Sequence, residues 1–345
     1  MKVSGMLGAD LGMAPLATAE LERRGYDALF TAEINNDPFL PLALAAEHSE
    51  HIRLTTSIAV AFARNPMTVA QQAWDLNQYS GGRFSVGLGS QIKQHITRRY
   101  SMAWSRPAAR MREFVQAMRA IWHCWTTGEK LAFEGEFYQH NLMTPMFTPP
   151  DSGCGVPGVN IAAVGPLMTE AAAEVGDGLI AHGFTTVKYL QEVTLPAVER
   201  GLAKAGRQRQ DFDINCPVMV VCGLDEAAFQ QNLQAVKAQL GFYASTPAYR
   251  GVLAVHGWED LQTEANQLTR EGRWGELGDL IDGDILESFA LVCENPERLP
   301  DAFYRRYGRL IDTWQCTFET GDSEQQQHLI ASIQERGADP FFATA

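Results

Sequence analysis

The sequence lacks any apolar run that could cross a lipid bilayer. Its longest apolar stretch, residues 38–46, is far shorter than the ~20 residues of a membrane-spanning helix. Residues 1–4 do not begin the apolar core of a secretory signal peptide. We therefore expect a soluble protein of the cytoplasm that has no membrane partner.

Basic residues are scarce as well. The 345 residues include 28 Lys and Arg against 41 Asp and Glu, which gives a net charge of −13. An acidic excess of this size argues against nucleic acid or an anionic membrane surface as a general partner. The 46% hydrophobic and 20% charged residues are typical of a globular protein and exclude a disordered chain.

The six cysteines form no metal-binding or redox pattern. There is no Cys-x-x-Cys pair, and no histidine stands at the spacing of a zinc partner. Buried free thiols in a reducing compartment are the favoured interpretation, with disulfides as the alternative. We expect no bound metal.

What the sequence does contain is a regular alternation of short apolar or β-branched runs with amphipathic helical segments. Such alternation predicts right-handed β-α-β units and a parallel sheet. Eight runs are candidate strands: residues 3–7, 28–31, 52–58, 83–88, 159–164, 178–182, 214–222 and 288–293. Eight units close naturally into a (β/α)8 TIM barrel, an α/β fold of about 250 residues. A doubly wound open sheet is the alternative, but no G-x-G-x-x-G motif follows the first run.

The length beyond a barrel predicts one domain over residues 1–345 with two insertions. The first, about residues 128–157, carries a hairpin pattern; the second, about 224–287, is mostly polar-faced helix. Both are expected to cap the substrate pocket. Five aromatic or histidine side chains of the second insertion are either a lid or part of the core: Phe242, Tyr243, Tyr249, His256 and Trp258. Apolar residues at spacings of three and four between 111 and 125 predict a buried helix face.

Polar side chains follow several of the predicted strands, where a TIM barrel places its chemistry. Glu33, Asn35 and Asp37 follow the second strand and are candidate catalytic groups, although Asp37 before Pro38 also suits a helix cap. His182 ends the sixth strand and points at the barrel mouth unless the register is shifted by one residue.

The turn after the fifth strand has the features of a phosphate site. Gly165 and Pro166 lead directly into an apolar-faced helix, and the glycine lets a ligand approach the backbone. The free N–H groups of Leu167 and Met168 then lie at the positive end of the helix dipole. The pattern is moderately specific, since many ordinary turns share it.

The segment after the fourth strand, residues 87–99, is cationic in an otherwise acidic protein. It contains three cations, one histidine and two hydroxyl groups. Either it forms a solvated helix face or it holds an anionic cofactor tail or substrate.

A series of motifs occurs in a fixed order: LFTAE at 29–33, IRLTTS at 52–57, RNP at 64–66, SGGRF at 80–84, GLG at 87–89, FEGEFY at 133–138, IAAVGPLM at 161–168 and VGDG at 175–178. Together they resemble the luciferase-like monooxygenase superfamily. The resemblance covers residues 1–200 and resumes weakly at residues 288–304. It implies a TIM barrel, commonly dimeric, that binds FMN or the deazaflavin coenzyme F420.

The resemblance also implies roles for particular residues. The Gly-Pro-x-Met turn at 165–168 is similar to F420-dependent members such as methylenetetrahydromethanopterin reductase, which hold the cofactor phosphate on backbone amides there. By the same resemblance Ser90 and Gln91 lie near the ring or the phosphate, and Arg98 or Arg99 meets the anionic tail. A bulge in the third strand braces the ring, often with a non-prolyl cis peptide, which would fall at Ser57–Ile58.

One position departs from the family pattern. Members usually carry an acid–histidine pair after the second strand, but here Glu33 is followed by Ile34, which cannot transfer a proton. His182, Glu33, Asn35 or Asp37 must then substitute, or the reaction needs no such base.

These observations favour an oxidoreductase that transfers hydride between F420 and a small organic substrate. The alternative is an FMN-dependent monooxygenase that receives reduced FMN from a partner flavin reductase and uses dioxygen. A non-catalytic flavin-binding protein is the third possibility. A homodimer is expected from the resemblance alone.

Overall fold

The computed structural model describes residues 1–151, 153–316 and 323–337. Parallel strands form a closed barrel with helices on its outside. The strands are β1 Lys2–Met6, β2 Ala28–Thr31, β3 Arg53–Thr56, β4 Ala59–Val60, β5 Phe84–Gly89, β6 Phe133–Glu134, β7 Gln139–His140, β8 Gly158–Ala163, β9 Gly178–Ala181, β10 Asp213–Pro217, β11 Met219–Val221, β12 Ala290–Val292 and β13 Thr313–Gln315.

The barrel has eight strand positions, in the order β1, β2, β3 with β4, β5, β8, β9, β10 and β13. β13 pairs in parallel with both β10 and β1, which closes the ring. The predicted α/β TIM barrel is therefore confirmed.

The prediction for the eighth strand was wrong. Residues 288–293 begin in a helix and continue as β12, which pairs with β11 in a separate two-stranded sheet. The barrel strand is β13, whose Trp314 stacks on Phe303 of the preceding helix, residues 299–307, with ring centroids 4.0 Å apart. The predicted strand 214–222 is likewise divided at Val218 into β10 and β11, so that its second half leaves the barrel.

The third barrel strand is interrupted at Ser57 and Ile58. Beside the interruption, the Thr56 hydroxyl provides the hydrogen bonds to β5. Its Oγ1 donates to the carbonyl of Gly87 (2.7 Å) and accepts from the backbone N–H of Gly87 (2.9 Å). The strand resumes as β4, where Ala59 lies opposite Leu88. A Cβ on Gly87 would approach the Thr56 carbonyl oxygen to 1.9 Å, so glycine is required at this crossing.

Helices surround the barrel and fill the insertions: α1 Ala14–Arg23, α2 Leu40–Glu47, α3 Pro66–Tyr79, α4 Pro107–Thr127, α5 Pro166–Val175, α6 Val187–Tyr189, α7 Leu195–Ala205, α8 Glu226–Ala244, α9 Arg250–Ala254, α10 Glu259–Arg270, α11 Gly283–Phe289, α12 Leu299–Tyr307 and α13 Ser323–Gly337. The face predicted between 111 and 125 is buried in α4. Five of the six cysteines are buried, and all six are free thiols. None of the helices within the described ranges is long and apolar enough to cross a membrane.

The two segments predicted as insertions contain elements that lie outside the barrel sheet. In the first, β6 and β7 form a hairpin, and Glu113 of α4 accepts the backbone N–H groups of Glu136, Phe137 and Tyr138. In the second, helices α8 to α11 pack around their own apolar cluster, which also contains Phe184 and Tyr189 from the loop after β9. The second insertion is thereby held against the carboxyl ends of the barrel strands.

Candidate active site

A cavity of about 1,440 Å³ opens at the carboxyl ends of the barrel strands. Residues at or just after the carboxyl ends of β1, β3, β5, β8, β9, β10 and β13 form its floor and walls, and the second insertion closes one side with residues 239, 243, 245–249 and 266. Among the described residues that line it there is no carboxylate, and Lys93 is the one side chain with a fixed charge. The cavity therefore favours an anionic group near Lys93 and uncharged groups elsewhere.

The interruption of the third strand forms part of the cavity wall. Ser57 and Ile58 both line the cavity, and the peptide bond between them is cis, as the family resemblance implies. The Ser57 hydroxyl donates to Oε1 of Gln315 at 3.3 Å. Gly89 leaves room for the Ile58 side chain, because a Cβ there would lie 2.7 Å from Ile58 Cγ1.

The turn before α5 opens into the same cavity. Gly165 and Met168 line it, whereas Pro166 and Leu167 do not, and the Leu167 side chain is 73% exposed. Gly165 has φ −82°, which any residue adopts, and a Cβ on it would meet no atom within 4 Å. Neither backbone conformation nor packing requires glycine here, so close approach by a ligand is the remaining physical reason for it. Pro166 begins the helix, which leaves the N–H groups of the first turn without helical partners.

Only some of the residues predicted in the segment after β5 line the cavity. Ser90, Gln91 and Lys93 line the cavity. Arg98 is exposed and lies outside it. Arg99 donates to the carbonyl of Ile34 at 2.6 Å, and so ties this segment to the loop after β2.

The three candidate groups after β2 do not line the cavity. The Glu33 side chain is only 7% exposed. Its Oε2 accepts hydrogen bonds from Arg64 Nη1 (2.5 Å) and from the backbone N–H of Val60 (2.7 Å). Its Oε1 accepts a hydrogen bond from the Tyr100 hydroxyl (3.0 Å). Asp37 accepts the backbone N–H groups that open the helix α2, and its carboxylate contacts Arg64 at 3.2 Å. Asp37 thus accepts hydrogen bonds from Phe39 and Leu40 as a capping side chain does, although the helix begins at Leu40 with Phe39 at its cap position. Asn35 is exposed.

His182 lies in the cavity wall directly after β9. Its Nδ1 accepts the backbone N–H of Phe184 at 3.0 Å, and its Nε2 is 3.1 Å from the hydroxyl of Tyr249. Burial lowers the pKa of His182 to about 4, so the imidazole is neutral at physiological pH. Two members of the predicted lid, Tyr243 and Tyr249, line the cavity beside it.

Gln315 is a cavity residue that the sequence did not predict. It is 6% exposed, and its Nε2 has no hydrogen-bond partner among the residues that the structure describes. A buried amide donor is stabilised by an acceptor, so a ligand oxygen above Ser57 would suit it. Ile311 to Cys316 include β-forming residues, but the run at 288–293 is more apolar and therefore predicts the eighth strand.

Comparison with known proteins agrees with this architecture. The family model described as luciferase-like monooxygenase matches residues 9–313. An uncharacterized protein of Mycobacterium tuberculosis is 52% identical over 292 residues, which cover 85% of this chain and 86% of that protein. The F420-dependent glucose-6-phosphate dehydrogenase of Intrasporangium calvum is 29% identical over 233 residues, or 63% of this chain and 67% of that protein.

Among solved structures, the coenzyme F420-dependent tetrahydromethanopterin reductase from Methanopyrus kandleri superposes with a TM-score of 0.77. The alignment covers 97% of this chain and 99% of that chain at 18% sequence identity. At that identity the likeness concerns the fold alone.

Proposed function

Because this chain belongs to the luciferase-like monooxygenase family, we propose that it is an oxidoreductase that transfers hydride between coenzyme F420 and a small organic substrate. F420- and flavin-dependent enzymes both occur among its relatives and fold neighbours. We favour F420 over FMN because of the F420-dependent relative from Intrasporangium calvum and because of the Gly165–Met168 turn before α5.

One arrangement carries the proposal. The Ser57–Ile58 bulge and the Gly165–Met168 turn line a single cavity from different strands, so one elongated ligand can contact both. The space beside Gly165 is open, and Nε2 of Gln315 has no hydrogen-bond partner among the described residues. A ligand with a ring and a phosphate would fill that space and offer Nε2 an acceptor. The residues present therefore fit such a cofactor.

The residues of this chain would bind, orient and shield the reactants. The first N–H groups of α5 and the ammonium of Lys93 would hold phosphate, with Ser90 and Gln91 beside it. Ser57, Ile58 and Gln315 would fix the ring plane. When bound, the deazaflavin supplies a carbon that gains or releases hydride.

The hydrogen bonds of the predicted catalytic groups Glu33, Asp37 and His182 indicate their roles. We assign Glu33 and Asp37 to bracing, because their oxygens already accept hydrogen bonds from the backbone and from Arg64. His182 is at the cavity but is a poor general base, since both of its nitrogens are engaged and burial lowers its pKa to about 4. Arg98 and Asn35, both exposed outside the cavity, stay predictions.

Paired binding of F420 and FMN tests the proposal. Each cofactor would be titrated in its oxidised and reduced state, by fluorescence quenching and calorimetry, against the purified protein. Micromolar binding of F420 with weak binding of FMN is the expected result. Preference for reduced FMN, followed by oxygen consumption with a partner flavin reductase, would replace the proposal with a monooxygenase. A sedimentation measurement in the same buffer tests the proposed homodimer.

A further inference from the structure

The second insertion brings a tyrosine hydroxyl to the histidine at the end of β9. Tyr249 ends the short turn of residues 247–249 that follows α8, and its hydroxyl lies 3.1 Å from Nε2 of His182. The two rings are 4.5 Å apart, and Tyr243 contacts the same imidazole edge-on at 4.8 Å. Both Tyr249 and His182 line the cavity that contains Ser57 and Gly165.

The hydrogen bonds fix the direction in which the tyrosine points its hydrogen. A neutral imidazole carries one N–H, and Nδ1 of His182 is used as an acceptor by the backbone N–H of Phe184. The ring hydrogen is therefore on Nε2, from which it is donated to the Tyr249 oxygen. The hydroxyl hydrogen of Tyr249 has no acceptor among the described residues, so it is available to a ligand in the cavity.

We propose that Tyr249 donates a hydrogen bond, and then a proton, to the carbonyl oxygen of the substrate, and that His182 is the positioning residue that orients it. This inference rests on the proposed function. It supplies the proton donor that Ile34 cannot provide in the loop after β2. His182 acts through Tyr249, because its own N–H is directed at the tyrosine oxygen and would stabilise the phenolate that proton transfer leaves.

The surroundings indicate the class of substrate. The described lining contains no carboxylate that would pair with a cationic substrate, and it includes the uncharged side chains Pro217, Met219 and Ala248. An uncharged ketone or conjugated enone fits this surface. In the reduction of a ketone, the carbonyl carbon gains a hydride from reduced deazaflavin, the C–O π bond breaks, and the oxygen takes the proton of Tyr249. The deazaflavin is left oxidised and releases one proton to solvent, solvent returns one proton to the phenolate, and the ketone has become an alcohol.

The protonation of His182 can be measured without any cofactor. In protein labelled with ¹⁵N-histidine, NMR distinguishes a protonated from an unprotonated ring nitrogen, and the His182→Gln variant identifies the His182 signals among the eight histidines. We expect Nε2 protonated and Nδ1 unprotonated at pH 7. An unprotonated Nε2 would overturn the proposal, because the tyrosine hydrogen would then be donated to the histidine.

Kinetics test the proton transfer itself. Reduced F420 would be mixed with a panel of uncharged ketones and conjugated enones. We expect Tyr249→Phe to lower kcat about 10²–10⁴-fold with an unchanged Kd for F420. Tyr304→Phe is the matched control, since it removes a buried phenol that donates to the Ile333 carbonyl, and neither of these residues lines the cavity; its kcat should stay within about twofold of wild type.

The positioning role has a readout of its own. His182→Phe removes the donor to Tyr249 and should lower kcat about tenfold without raising the KM for the carbonyl compound. His182→Gln restores an N–H donor and should recover part of that loss. Wild-type kcat in Tyr249→Phe, or F420 binding without reduction of any carbonyl compound, would overturn the inference. Failure of F420 to bind the wild-type protein would instead refute the proposed function, and the NMR measurement alone would then decide the direction of the hydrogen bond.

Discussion

Oε2 of Glu33 lies 2.7 Å from the backbone nitrogen of Val60, on the far side of the interruption in the third barrel strand. The backbone N–H of the same Glu33 donates to the carbonyl of Ile58 at 3.1 Å. One residue of the β2 loop therefore holds both ends of the segment Ile58–Val60, and Arg64 neutralises its charge at 2.5 Å. The acid of the family's usual acid–histidine pair is here a brace for the cavity wall.

Loss of this brace should destabilise the protein. Glu33→Ala removes one of the two carboxylates that contact Arg64, the other being that of Asp37, and leaves the N–H of Val60 without its acceptor, which costs about 1–3 kcal/mol. Urea unfolding followed by circular dichroism measures the loss. Glu276→Ala, which breaks an ion pair with Arg273 on the exposed surface, is the control and should leave the urea midpoint unchanged. Equal midpoints for the two variants would contradict the brace.

A methyl group at Gly165 should weaken cofactor binding without affecting folding. The added Cβ meets no protein atom within 4 Å, so Gly165→Ala should unfold at the wild-type temperature. The methyl would occupy the space in which phosphate approaches the first turn of α5, and we expect the Kd for F420 to rise about tenfold or more. Gly283→Ala makes the same change at the start of α11, outside the cavity, and should bind F420 normally. Normal binding by Gly165→Ala would exclude this turn as the phosphate site.

Two of the three cations in the segment after β5, Lys93 and Arg98, should differ in their effect on F420 binding. Lys93→Ala removes the charged side chain of the cavity lining and should raise the Kd for F420 about two- to fivefold, with a smaller effect at high salt. Arg98→Ala changes an exposed side chain outside the cavity and should alter the Kd by less than a factor of two. Titrations at two salt concentrations measure both. A larger effect from Arg98 would show that the anionic tail of the cofactor runs along the outer surface.

His182 should make the protein sensitive to mild acid. Its pKa is lowered from 6.5 to about 4 by burial, so below pH 6.5 the unfolded chain binds a proton that the folded chain does not. Stability is therefore unaffected above pH 7 and falls between pH 6.5 and 4, by about 3 kcal/mol in total from this residue.

Thermal unfolding of wild type and His182→Gln between pH 4 and 8 checks this pH dependence. The variant should lose less stability than wild type as the pH falls. His123→Gln, at an exposed site, should follow the wild-type curve. Parallel curves for wild type and His182→Gln would indicate that the folded protein protonates His182 normally.

Local sequence patterns predicted most of the barrel. The second predicted strand coincides with β2, residues 28–31, and the apolar face predicted between 111 and 125 is buried in α4. Such predictions succeed because an apolar repeat of 2 residues in a strand, or of 3.6 in a helix, indicates which side of the element faces the core. His182, predicted at the end of the sixth strand, lines the cavity, and so does Ser57, which only the family resemblance indicated.

The errors concern contacts between distant segments. β13 has only three residues, and it belongs to the barrel because it pairs with β1 and β10. The longer apolar run at 288–293 pairs with β11 instead. The contact of Tyr249 with His182 spans 67 residues and depends on how the second insertion folds back. Glu33 was predicted to be reactive from its position, but its partners Val60, Arg64 and Tyr100 come from other segments. No local pattern contains this information.

The position of β13 near the end of the chain has a consequence for synthesis on the ribosome. β1 and β10 each leave one edge unpaired until Gln315 has been translated, about a hundred residues after β10 is complete. During that interval the second insertion can fold around its own apolar cluster, while both parallel edges are open to pairing with other nascent chains. The last strand thus converts an aggregation-prone open sheet into a barrel without edges, and a chain that stops before residue 313 remains open.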